Sequence, residues 1–85
     1  MSLIIKKRIR TERIGILLKC ASEWREEGVE VFKINEYQYR VIREGHAIDY
    51  YPTSGKYFDN LKNKWGYTTP LSLIDLFYAQ KPYRK

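Results

Sequence analysis

Residues 45–57 read Gly45-His46-Ala47-Ile48-Asp49-Tyr50-Tyr51-Pro52-Thr53-Ser54-Gly55-Lys56-Tyr57, and this stretch decides the fold class. An apolar and aromatic run meets a turn signal, Thr53-Ser54-Gly55, and resumes beyond it, which is the pattern of strand, turn, strand. Pro52 donates no ladder hydrogen bond, so it belongs at a strand end or an edge. Successive strand residues face opposite ways, so of Tyr50 and Tyr51 one ring enters the core and the other stays exposed.

Upstream the same period of two continues. Val29 and Val31 alternate with Glu30, and Tyr37, Tyr39 and Val41 alternate with Gln38 and Arg40. Asn35-Glu36 and Glu44-Gly45 supply two more tight turns, so residues 29–60 form an antiparallel meander of three or four strands. Before Gly28 the period lengthens. Thr11 is a good N-cap, and Ile14, Leu17, Leu18, Ala21 and Trp24 recur at steps of three and four, which predicts an amphipathic helix over about 12–27 with Gly28 as its left-handed cap. Residues 3–9 fit a strand, a basic arm or an earlier start of that helix. Downstream, residues 60–68 read as a basic loop carrying Trp65. Thr69-Pro70 then opens a second helix running to about Gln80, with Leu73, Ile74 and Phe77 on one face.

The expectation is therefore an α+β domain in α-β-β-β-α order, an antiparallel meander flanked by N-terminal and C-terminal helices. With 85 residues it forms one domain, residues 1–85, in which 81–85 are a basic tail. Its core is expected around Trp24, Phe32, Phe58, Phe77 and several tyrosines. The lone Cys20 has no internal disulfide partner, and the sequence shows no signal peptide and no spanning run of about 20 apolar residues, so a cytoplasmic protein without membrane association is expected.

Sixteen Lys and Arg against ten Asp and Glu give +6, unevenly placed. Lys6, Lys7, Arg8, Arg10 and Arg13 against Glu12 make residues 1–14 +4. Residues 56–85 hold six cations against Asp59 and Asp75, again +4, and the middle sums to −2. Basic ends gathered on one face attract a polyanion; spread apart, they serve solubility.

Catalytic sets are absent. With one histidine and one cysteine, a multi-His or Cys metal site is excluded, and no cofactor motif is present. Cys20, on the apolar side of the first helix, reads as a small buried thiol. His46, beside a turn, reads as a solvated turn residue that Asp49 or Glu44 could orient if it were chemical. Thr53-Ser54-Gly55-Lys56 lacks the glycine and strand-to-helix context of a phosphate-binding loop.

What remains is a binding surface. Lys6, Lys7, Arg8 and Arg10 at one end, Lys62, Lys64 and Trp65 in the basic loop, Lys56 and Tyr51 on the hairpin, and Arg40 and Arg43 among tyrosines supply cations beside rings. Such a surface fits nucleic acid, DNA or RNA, or an acidic surface of a host protein. Edge pairing or helix packing would also permit a homodimer.

The pattern from Tyr39 to Phe77, with Ile48-Asp49-Tyr50-Tyr51-Pro52-Thr53-Ser54-Gly55-Lys56-Tyr57, a basic loop and a short Leu/Ile-rich helix, resembles small phage and prophage proteins of uncharacterised function. The resemblance implies a phage accessory product acting in the bacterial cytoplasm on host nucleic-acid machinery or defence. The order of elements also resembles double-stranded-RNA-binding-like domains, including toxins of the HicA family with their strand histidine, here Gly45-His46. That resemblance implies RNA cleavage through His46.

Overall fold

The computed structural model describes residues 3–78. Helix α1 (Leu3–Trp24) leads through a 3₁₀ turn (Arg25–Glu27) into strands β1 (Val29–Asn35), β2 (Gln38–Arg43), β3 (His46–Tyr51), β4 (Lys56–Asp59) and β5 (Lys64–Tyr67), and the short helix α2 (Asp75–Tyr78) follows. The strands form one antiparallel sheet in the order β1-β2-β3-β4-β5. The α+β meander is thus as expected, but with five strands instead of three or four.

The fifth strand lies in the segment expected to be a loop. Asp59, Asn60 and Asn63 make the turn, with Asn63 at φ 57 and its N–H bonded to the Asp59 carbonyl at 2.7 Å, and Lys64-Trp65-Gly66-Tyr67 then pairs with β4. Gly66 hides the strand signal in the sequence, and its role is spatial. A Cβ there would stand 2.6 Å from the Tyr57 ring, which occupies that space across the pair.

Helix α1 starts at Leu3, well before the expected 12, so the helical alternative for 3–9 holds from that residue on. The segment combines Leu3, Lys6, Lys7 and Arg8, good helix formers, with three isoleucines and has no Gly or Pro to stop it. Thr11 is accordingly inside the helix, where its hydroxyl donates back to the Lys7 carbonyl at 2.9 Å instead of capping. The helix ends as expected at Gly28, φ 80, whose N–H bonds to the Arg25 carbonyl.

The turns explain the register. Glu44 and Gly45 both have positive φ, the requirement of a two-residue hairpin loop that keeps strand twist. The Asn35 side chain accepts from the Tyr37 N–H at 2.7 Å beside a bulge between Lys33 and Asn35, which places the first turn at Glu36-Tyr37, one residue later than expected. Gly55, φ 80, closes the third turn onto the Tyr51 carbonyl at 2.8 Å.

Among the described residues, only one face of the sheet is covered. Leu17, Cys20 and Trp24 of α1, with Leu73 and Phe77, bury against Val29, Tyr39, Val41, Ile48 and Tyr50. Cross-strand pairing puts Phe32, Arg40, Asp49, Phe58 and Trp65 in one row on the opposite, outer face. Phe32 is therefore exposed and Phe58 half-buried there, and neither belongs to the core expected for them. Their strands carry apolar residues on both faces, so alternation alone did not say which face was inside.

Beyond β5, Thr69 caps as expected, its Oγ1 accepting from the Ser72 N–H at 3.3 Å. Residues 70–77 then advance mainly by bonds three residues apart, and α-helix proper covers only Asp75–Tyr78. Leu73, Ile74 and Phe77 do face the core. The expected end at Gln80 and the tail 81–85 lie outside the described residues. Among the described residues, no helix is long and apolar enough to cross a membrane.

Candidate nucleic-acid interface

The two halves of α1 have different surroundings. Leu17, Cys20 and Trp24 are buried, whereas Ile4 and Ile5 are exposed, so the first turns overhang the end of the sheet. Arg13 fixes the angle, its guanidinium donating to the carbonyls of Pro52 at 2.8 Å and Thr53 at 3.2 Å. Between the overhang and the sheet end lies a cleft of about 1010 Å³.

Lys6, Lys7 and Arg10 line this cleft from the helix, and Lys33, Glu36 and Lys56 from the sheet, five cations against one carboxylate. Tyr37, Tyr51 and Trp65 also line it. Arg10 lies 4.7 Å over the Tyr37 ring, and the Lys56 ammonium 4.7 Å over Trp65. Trp65 packs against Phe58 with centroids 4.8 Å apart and against Tyr51 at 6.0 Å. The cleft thus turns the end of the sheet and opens onto the aromatic outer face.

The sequence-based candidates divide accordingly. Lys6, Lys7, Arg10, Tyr51, Lys56 and Trp65 come together in the cleft. Arg8 is exposed on the same helix outside its lining. Arg40 and Arg43, three residues apart in β2, point to opposite faces and do not form the shared basic face considered above. Arg40 is bound to Asp49 across the β2–β3 pair, Nε to Oδ1 at 2.7 Å and Nη2 to Oδ2 at 3.2 Å. Burial would raise the Asp49 carboxyl, but hydrogen bonds from Arg40, Asn60 and Gln38 and the charge of Arg40 outweigh it and hold the group below the ordinary carboxylate range. Arg43, at the far end of the strand, donates to the Glu27 carbonyl at 3.0 Å and covers the Tyr78 ring at 4.9 Å, a structural link.

The cluster of Lys62, Lys64 and Trp65 is likewise divided. Lys62 sits in the β4–β5 turn, Lys64 points to the other side of the strand from Trp65, and only Trp65 reaches the cleft. Lys33, Phe32, Tyr37 and Tyr67 were missed as candidates. The run Val29-Glu30-Val31-Phe32-Lys33-Ile34, apolar on both faces, is the signal that β1 presents a second surface.

His46 is not the solvated turn residue its position suggests. It is 9% exposed, its ring stands edge-on to Phe77 at 5.0 Å, and its Nε2 lies 2.8 Å from Oδ1 of Asp59, which orients it in place of the Asp49 or Glu44 expected for that role. That oxygen also accepts the N–H groups of Leu61 and Lys62, at 2.9 and 3.1 Å, so it acts as an acceptor and Nε2 carries the proton. The pair ties β3 to the β4–β5 turn. Cys20 is a core thiol as expected, and burial pushes its pKa up. Among the described residues no group of three or more His, Cys, Asp or Glu side chains could hold a metal ion.

Compared with family models, with curated proteins and with solved structures, the chain finds no significant match.

Proposed function

We propose that this is a small basic accessory protein of phage type that binds nucleic acid through the cleft and the aromatic face beside it, acting in the cytoplasm without catalysis. The observation that carries the reading is the cleft lining, five cations against one carboxylate, meeting the rings of Tyr37, Tyr51 and Trp65. A +4 lining concentrates two-thirds of the +6 of the whole chain at one end of the fold. Solubility alone does not require that clustering. Phosphates supply the complementary charge, and bases supply the flat apolar surface that exposed rings accept. The hydrogen-bonded burial of His46 favours a structural role for it over RNA cleavage.

Anisotropy titration of labelled DNA and RNA across a salt series tests the proposal. Five cations meeting phosphates give a slope of log K against log salt of about −3.5 on a single strand and about −4.5 on a duplex. Replacing Lys6 and Lys7 by Gln lowers the steepness by about 1.4 units on a single strand. Failure to bind at about 50 mM salt, where this electrostatic attraction is strong, refutes the reading. An acidic host-protein surface, with Trp65 and Tyr67 as anchors, would then be the partner to seek.

A further inference from the structure

Resting on that reading, we infer that the ligand is an unpaired strand, its bases lying on the outer sheet face around Trp65 while its phosphates enter the basic cleft. A duplex shows a protein its phosphates and the edges of its bases, and keeps the flat faces stacked inside. This surface offers flat faces. Phe32 is 44% exposed, Trp65 56% and Tyr67 72%, and all three project from the same side of the sheet. Exposed rings on a sheet face that no other described residues cover are matched by bases that have left a helix.

The central polar pair of the same face, Arg40 and Asp49, is already engaged. Asp49, 6% exposed, is held by Arg40 and by the Asn60 side chain at 3.1 Å, so its charge is offset and the Nε and Nη2 donors of Arg40 are occupied. The face therefore has little with which to read base edges, and stacking, which tolerates any sequence, becomes the principal contact. Glu30 is the exposed carboxylate on the outer side of β1, two residues from Phe32 and four strands away from Trp65.

Three of the five cleft cations, Lys6, Lys7 and Arg10, come from the helix overhang, while Lys33 and Lys56 come from the sheet together with the rings. A single strand likewise brings a charged backbone along one side and bases along the other. Lys56 stands at the junction, its ammonium over the Trp65 ring and its side chain in the cleft wall. It is placed to exchange that ring for a phosphate when a base arrives.

The test compares oligothymidine and oligouridine of roughly 12 nucleotides, within the range small β-domains cover, with a mixed-sequence duplex of the same length, in the full chain and in Trp65→Ala and Trp65→Phe variants. Unpaired strands are expected to bind tighter than the duplex, and Trp65→Ala to weaken them about 5- to 150-fold, the equivalent of about 1–3 kcal/mol. The slope against salt stays unchanged, because no cation is lost. Trp65→Phe keeps a stacking ring on β5, retains most of the affinity, and guards against loss of fold in the alanine variant. Equal affinity for strand and duplex, with neither Trp65 variant altering either, overturns the inference and leaves nucleic-acid binding standing. Absence of binding to all three probes at about 50 mM salt overturns both.

Discussion

Replacing Asp59 by Ala should be the most damaging single polar change in the domain. Asp59 is 2% exposed, and its Oδ1 collects His46 Nε2 and the N–H groups of Leu61 and Lys62. In the alanine variant the two backbone donors, in an exposed turn, rehydrate, so each loses only a charge-assisted bond. The His46 nitrogen, enclosed beside Phe77, has no such recourse and bears its desolvation cost, about 1–3 kcal/mol. With about 1.5–3 kcal/mol for each of the two lost bonds to the carboxylate, the total is at least about 4 kcal/mol. A domain of 85 residues has a total stability of about 4–13 kcal/mol, so the loss is a large share of it. Asp59→Asn keeps an oxygen for the ring and the turn and loses mainly the charge assistance, about 1–2 kcal/mol. Urea unfolding followed by circular dichroism measures both through the shift in midpoint at constant slope. If Asp59→Ala costs less than about 1 kcal/mol, the Asp59–His46 pair is not what secures the β4–β5 turn, and the argument fails.

Two other changes test how the site is held. Arg13→Met removes the donors to Pro52 and Thr53 that set the overhang of α1; it should cost about 1–3 kcal/mol in thermal or urea unfolding and weaken binding in the cleft, whereas an unchanged stability would show that packing alone angles the helix. The lowered Asp49 carboxyl gives a pH dependence: the folded state binds this proton less readily than the unfolded state, so its stabilisation is complete above the ordinary carboxylate value of about 3.9 and fades as pH falls through that value toward the lower folded one. Because the Arg40 side chain is 41% exposed, the amount is on the order of 1 kcal/mol. Asp49→Asn should flatten that acid limb in pH-dependent unfolding, and an unaltered limb would contradict it.

The sequence carried most of the sheet because its turns speak in glycine and asparagine. Gly45 and Gly55 marked two hairpins, and Gly28 marked the end of the helix. The fifth strand went unread for a related reason, since Gly66 weakens strand propensity while serving the Tyr57 ring, a contact between residues nine apart. The site was legible in its ingredients and not in its grouping. Lys6, Lys7, Arg10, Tyr51, Lys56 and Trp65 were all identifiable as cations and rings, but their meeting depends on the angle that Arg13 gives α1. Arg40 looked available until the register set Asp49 opposite it. His46 looked solvated because its partner, Asp59, lies thirteen residues on.

A sheet whose strands neighbour one another in chain order has a consequence for how the molecule is made. Each strand from β2 onward finds its partner in the strand just synthesised, across a turn of a few residues, so closing each pair takes little chain entropy. The helix differs. Its anchor at Pro52 and Thr53 comes thirty-nine and forty residues after Arg13. On a growing chain α1 therefore emerges first and docks late, after β1–β3 are present to receive it. Until then its apolar stripe of Leu17, Cys20 and Trp24 faces water, and the interval between making the helix and seating it is when the nascent domain is most exposed to mispairing.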